Sequence, residues 1–359
     1  MNVANGIEPT HARGAALGVG AAALFGVSAP LSKLLLTRTG PLTLAALLYL
    51  GAGLGLSLLA LLARLRSGGG RSEAPLRPSD LPLLAGAVMT GGILGPFLLM
   101  FGLQRVSAVS GSLLLNLETP LTILLAVVLA REHLGLRQAG SALLILLGAG
   151  IVGQRPGDLR AEWLGVAAIA GASLSWAIDT NLSQRLALRD PVAFSRLKGF
   201  AGGTCMMAAA LGRGETLPGA GVVVPALLLG WMSYGLSAVL FVLGLRAVGS
   251  SRMAAYFATA PFLGALVAIP VLGERLHRSD LLAMTVMAIG VALLLREVHD
   301  HLHEHKEVDH DHAHVHDDHH RHEHGPGEIV AGSHAHPHHH GPQAHAHPHA
   351  PDLHHRHHH

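Results

Sequence analysis

Long apolar runs dominate this chain, and their lengths suit a lipid bilayer. Bounded by charges or by Pro and Gly, they are approximately Gly14–Ser32, Pro41–Ala63, Leu81–Leu103, Ser107–Ala130, Gln138–Gly153, Trp163–Gln184, Pro191–Gly212, Val222–Leu245, Met253–Leu272 and Leu281–Leu295. A helix of about 20 apolar residues spans the hydrocarbon core. The pattern therefore predicts an all-α membrane protein of ten transmembrane helices. Most connections are short, so neighbouring helices run antiparallel. The longest, Arg64–Asp80, contains Ser67-Gly68-Gly69-Gly70 and reads as a flexible surface loop. Arg13 leads directly into the first run with no decisive cleavage site, so no removable signal peptide is expected.

Composition agrees. Half of the residues are apolar and only 13% are charged, with a mean hydropathy of +0.42. A soluble protein carries roughly a quarter charged residues. A soluble enzyme, a nucleic-acid binder and a secreted disulfide scaffold are disfavoured, and Cys205 reads as a small buried hydrophobe. With the N-terminus in the cytoplasm, the inside segments hold twelve basic residues before the tail and the outside segments eight. That excess predicts cytoplasmic termini and a multi-pass protein of the cell (inner) membrane.

The two halves repeat. Arg105 through Ser112 leads to Pro120, Glu132, Leu134 and Gly148; Arg246 through Ser251 leads to Pro261, Glu274, Leu276 and Gly290. The offset is 141 at the prolines and 142 at the glutamates. At the start of each half, Gly14, Phe25, Leu31 and Ser32 align with Gly165, Trp176, Leu182 and Ser183. Five spans per half is an odd number, so the second copy is inverted, as in many secondary transporters.

The stretch Ser107–Pro120, with Arg131-Glu132-His133-Leu134, Gln138-Ala139-Gly140 and Gly148, resembles the EamA-type repeat of the drug/metabolite transporter superfamily. The second copy, Pro261 through Gly273-Glu274-Arg275-Leu276 to Gly290, fits the same pattern. The resemblance covers about residues 14–296 and implies two inverted five-helix repeats with cytoplasmic termini. The expected division is a cytoplasmic N-terminus at 1–13, repeats at 14–153 and 161–296, a linker at 154–160, and a tail at 297–359. An Arg that the family often carries seven residues after the proline of its second helix is absent. Leu48 holds that place after Pro41, and Lys198 after Pro191.

Charges within a span cost roughly 2.5–3.5 kcal/mol each, so they need a pair, water or a function. Glu118, Asp179, Arg196 and Lys198 stand out. They either neutralise one another as structural ion pairs or serve a central cavity. On the second reading, Glu118, with Asn116 and with Asp179 and Lys198, lines a substrate or proton-coupling site. Arg196, about one turn inside its span, reads as a residue that snorkels to the interface. Pro120 and Pro261 are expected helix kinks, the first freeing the carbonyl of Asn116. Glu132 and Glu274 are expected to cap the turns into the fifth and tenth helices. Trp176 and Trp231 line a cavity or mark an interface. Gly148-Ala149-Gly150-Ile151-Val152-Gly153 matches a dinucleotide-loop pattern, but it closes a hydrophobic span and reads as helix packing. With no catalytic motif, no enzyme activity and no required cofactor are expected.

The chain ends differently. The 61 residues from His299 to His359 hold 25 of the 28 histidines. His299, His301, His303 and His305 alternate with other residues, as do His310, His312, His314 and His316. Neutral imidazoles with carboxylates suit Zn²⁺, Ni²⁺, Co²⁺ or Cu²⁺. Few apolar residues predict a segment disordered without metal. The leading expectation is a secondary transporter, an exporter of a small organic metabolite such as an amino acid. Its partners would be membrane lipid, a small-molecule solute and divalent metal ions, with a homodimer allowed and no nucleic acid. The alternatives are a divalent-metal exporter and a non-transporting metal sensor. Only His11, His133 and His277 precede the tail, which disfavours a metal path through the core.

Overall fold

The computed structural model describes residues 9–67, 75–130, 134–152, 159–183, 186, 189–248, 253, 256–295, 299–305, 308–314, 334–340 and 343–349. Up to residue 295 these form helical rods, numbered here in chain order. Rod 1 is Pro9–Gly26 resumed as Ser28–Leu36, and rod 2 is Pro41–Ser67. Rod 3 runs through Leu81–Ala87, a π-helical Val88–Leu94 and Gly95–Leu103. Rod 4 comprises Ala108–Leu114, a 3₁₀ turn Leu115–Leu117, and Glu118–Ala130. Rods 5, 6 and 7 are Leu136–Val152, Leu159–Ser183 and Pro191–Gly212. Rod 8 repeats the design of rod 3: Ala220–Gly230, a π-helical Trp231–Leu236, and Ser237–Val248. Rod 9 is Ala260–Leu272 and rod 10 is Arg278–Leu295. Among the described residues, five helices are long and apolar enough to cross a membrane: Arg13–Leu36, Pro41–Leu65, Pro78–Leu103, Ala108–Val128 and Ala220–Leu245.

The packing carries a two-fold exchange. Rod 1 lies on rod 8 and rod 6 on rod 3; rod 2 lies on rod 8 and rod 7 on rod 3. Rod 9 packs on rod 1 as rod 4 packs on rod 6, while rods 2 and 7, 4 and 9, and 5 and 10 meet their own counterparts. Swapping the halves maps this set of contacts onto itself. Small residues make the closest crossings workable. A Cβ at Gly199 would sit 2.8 Å from the Gly53 nitrogen and the Tyr49 carbonyl. Leu44, Leu48, Leu99, Leu113 and Ile169 fill the centre, whereas Leu58, Leu124, Leu143 and Leu282 face outward, as a lipid-facing surface requires; Cys205, expected to be buried, is exposed on the same apolar surface.

Hydrogen bonds sort the rod ends. Lys33, near the end of rod 1, donates Nζ to the carbonyls of Leu103 (2.7 Å) and Val106 (2.5 Å) after rod 3. Glu215, after rod 7, accepts from the backbone N–H and hydroxyl of Thr43 at 2.9 and 2.7 Å. Glu274, after rod 9, accepts from the N–H groups of Ala108 and Val109. These turns share one end of the bundle, called distal here because rod 1 begins at the other. At the proximal end Arg189 pairs with Asp80 at 3.0 Å.

Two glycines aim the distal glutamates. Gly214 and Gly273 are the positive-φ residues among those described, at 78° and 66°, and each directly precedes Glu215 or Glu274. A side chain in that left-handed region costs about 1–2 kcal/mol. Gly273→Ala is expected to lower thermal stability in detergent by about that amount, read from a melting curve.

Two expectations are corrected. Glu274 does not cap rod 10: the turn into that rod is served by Asp280, whose carboxylate accepts from the His277 N–H at 2.9 Å. Glu274 is thereby left to cap rod 4 of the other half, while Glu132 lies outside the described residues. In the tail, β1 (His299–His305) pairs antiparallel with β4 (Gln343–His349), and β2 (Val308–His314) with β3 (His334–His340). These strands replace the disorder that composition predicts. The His-x-His alternation has the two-residue period of a strand, so backbone pairing needs no apolar core. His316 lies outside the described residues.

Candidate functional site

Three of the membrane charges meet between rods 4, 6 and 7. Asp179, 8% exposed on rod 6, forms an ion pair with Lys198 on rod 7, and its other oxygen accepts from the Ser183 hydroxyl at 3.1 Å. Asp179 and Lys198 lie 19 residues apart in sequence, so the antiparallel turn between their rods places them side by side. The Lys198 ammonium also sits 5.7 Å from the Phe194 ring centre. Glu118, on rod 4, touches the Thr180 hydroxyl at 3.4 Å and lies close enough to Asp179 and Lys198 for their charges to act on it. Among the described residues it has no ion-pair partner of its own.

Both halves supply the wall. Gly91 lies in the π-helical stretch of rod 3, where a Cβ would press on the Asp179 carboxylate and the Lys198 ammonium. Its carbonyl accepts from the Tyr49 hydroxyl of rod 2 at 2.5 Å and from the Trp176 indole of rod 6 at 3.2 Å. Rings continue the wall. Phe25 stands edge-on to Trp176 and to Tyr234, both at 5.8 Å, and Tyr49 lies 5.3 Å from Tyr234. The site thus combines two carboxylates, one ammonium and a belt of aromatic faces able to hold a cation.

The site is asymmetric even though the fold repeats. Gly92 and Gly235 occupy equivalent places in the two π-helical stretches, as do Gly91 and Tyr234. In the first half the glycine carbonyl collects two donors; in the second a tyrosine ring occupies that space. Lys198 likewise has Leu48 as its counterpart in the first half.

Asn116 is not brought to this cluster. It is 1% exposed, its amide points to the Met287 sulfur of rod 10 at 3.8 Å, and its Oδ1 has no hydrogen-bond partner. Two residues apart on a helix, Asn116 and Glu118 point to different sides of rod 4. Pro120 and Pro261 each follow a departure from α-helix, the 3₁₀ turn in rod 4 and a turn at Ala258–Thr259 before rod 9. Sequence reasoning does not single out Tyr49 or Thr180, and reads Gly91, spaced four residues from Gly95, only as a close-packing position. A lone tyrosine in an apolar span is the one available signal.

The chain is a repeated helical membrane protein with charges enclosed among its rods. The model of the EamA-like transporter family matches residues 12–154 and again residues 163–296, and the chain belongs to that family. An uncharacterized transporter from Methanothermobacter thermautotrophicus (strain ATCC 29096 / DSM 1053 / JCM 10044 / NBRC 100330 / Delta H) is 31% identical over 286 residues, covering 75% of this chain and 82% of the relative. A protein crystal structure superposes with a TM-score of 0.58 at 18% identity, covering 78% of this chain and 96% of the other. That likeness shows the fold.

Proposed function

We propose that this multi-pass membrane transporter is a secondary exporter of a small, amine-bearing organic metabolite across the cytoplasmic membrane, crossing it ten times with both termini inside. The observation that carries the reading is Glu118, a carboxylate halfway along rod 4 whose neighbours Asp179 and Lys198 already neutralise each other. A charge enclosed at that depth needs a partner. A proton or a substrate ammonium satisfies the same oxygen atoms, so the two compete, and their competition couples transport to the proton gradient.

The test is a counterflow panel in proteoliposomes holding amino acids, amines and organic anions, with and without an imposed pH gradient. Amine-bearing solutes should exchange and dissipate the gradient. If only organic anions move, or if movement ignores the gradient, the reading falls.

The tail has a separate role on this reading. It binds Zn²⁺, Ni²⁺, Co²⁺ or Cu²⁺ through histidines that include His299, His301, His303, His305, His310, His312 and His314. Imidazoles bind metal only when deprotonated, so binding should weaken as pH falls through about 6.5. Truncation after Glu297 should remove metal binding, measured by calorimetry, and leave organic-solute counterflow nearly unchanged. A truncated chain that keeps its metal affinity, or loses transport, overturns this division of labour.

A further inference from the structure

We infer that Glu274 and Lys33 together form a latch that closes the distal end of the transporter, with the first two turns of rod 4 as the moving gate. The donors at the start of rod 4 are matched one by one. The N–H groups of Ala108 and Val109 donate to the two oxygens of Glu274 at 2.7 and 2.9 Å, and the N–H of Ser110 donates to the Ser107 hydroxyl at 3.0 Å. The first two of these donors are therefore held by a carboxylate from the opposite half, carried on the turn that follows Gly273. Just upstream, Lys33 of rod 1 holds the carbonyls of Leu103 and Val106. The corner between rods 3 and 4 thus has an anion on its donors and a cation on its acceptors, each in the electrostatically favoured place. Glu274 lies near enough for its charge to act on Lys33, so each half of the latch supports the other.

The gate has a hinge. Between the latched turns and Glu118 lies the 3₁₀ segment Leu115–Leu117, followed by Pro120. A short tightened stretch inside a helix is a common hinge. A change of partner at Glu118 therefore reaches the latch through one rod, and breaking the latch frees the distal part of rod 4 to swing away from rod 9. The proximal Asp80–Arg189 pair and the distal Glu215–Thr43 clamp differ from it. They join the approach to rod 7 with rod 3 and the turn after rod 7 with rod 2, and neither engages rod 4. The latch rests on the transporter reading for its use, whereas its opening is read without any solute.

The reporter is Ser112→Cys, made in the full-length chain with Cys205→Ser. The Ser112 hydroxyl is buried without a partner among the described residues, one turn from the latch, and a Cβ at Gly264 of rod 9 would lie 2.8 Å from it. Labelling with a membrane-impermeant maleimide from the distal side should be slow. Glu274→Ala should speed it by about tenfold or more, the equivalent of one lost hydrogen bond to a charged group. Glu274→Gln, which keeps one acceptor, should fall between, and Lys33→Met should also speed labelling. Ser173→Cys, buried at 0% on rod 6, which also starts at the distal end, is the control for general loosening. Faster labelling at Ser112→Cys with Ser173→Cys unchanged supports the latch. Equal labelling with and without Glu274, or equal acceleration at both positions, overturns it, whatever the counterflow panel finds.

Discussion

Lys198→Met is expected to be among the most damaging single substitutions in the membrane region, and Asp179→Asn should restore much of the loss. Asp179 is 8% exposed, and its charge is matched by Lys198 and one hydroxyl. Removing the lysine leaves a carboxylate enclosed among apolar rods. Breaking one partner of a buried pair costs about 3–5 kcal/mol, because the remaining charge is uncompensated. Replacing both partners removes that penalty, so the double variant Asp179→Asn with Lys198→Met should fold better than Lys198→Met alone. The measurement is monodisperse yield and melting temperature in detergent for both single variants and the double. A double variant no more stable than Lys198→Met would show that the pair is not what Lys198 contributes to the fold.

That experiment bears on how far the fold and the site are readable from residues alone. Run lengths place most of the helices within a few residues, because an apolar stretch bounded by Pro or charge has few other uses in a bilayer; rod 9, expected from Met253, starts at Ala260 after a turn. Rod 7, Pro191–Gly212, is located at both ends. The interruptions are not legible. The π-helical stretches of rods 3 and 8 and the break at Val27 in rod 1 lie in sequences that read as uninterrupted helix. They depend on what packs beside them, such as Tyr49 and Trp176 on the Gly91 carbonyl, or the Ser233 and Ser237 hydroxyls on the carbonyls of Leu24 and Ala21. A local pattern cannot report such contacts.

Charged residues show the same division. Asp179 and Lys198 are recognisable as a pair because charge within a span demands compensation. The partner of Glu274 is misread for the converse reason. A carboxylate near the start of a helix satisfies the general rule at either of two helix starts, and only the tertiary fold reveals that rod 4, more than 160 residues earlier, is the one it caps. Sequence distance groups Asn116 with Glu118, although two residues apart on a helix point to different sides, as they do here.

Glu118→Gln is expected to abolish coupled exchange while leaving the protein folded, and this distinguishes it from Lys198→Met. Glutamine keeps the length of the side chain and an acceptor for the Thr180 hydroxyl, now 3.4 Å away. It also removes the one carboxylate of the cluster that no lysine or arginine neutralises among the described residues, so stability should stay level or rise. What is lost is the alternation between proton and ammonium. A hydrogen bond between charged partners contributes about 1.5–3 kcal/mol, so solute exchange should fall by about tenfold to a hundredfold. Whatever exchange remains should no longer change with an imposed pH gradient, because the group that carried the proton is gone. Glu118→Asp, which retains the charge on a shorter arm, should keep the gradient dependence at a reduced rate. The measurement is counterflow in proteoliposomes at matched protein density, with melting temperature recorded on the same preparations. Normal, gradient-dependent exchange by Glu118→Gln would remove Glu118 from the coupling role. A collapse in stability would instead place it with Asp179 and Lys198 as part of the structural charge network.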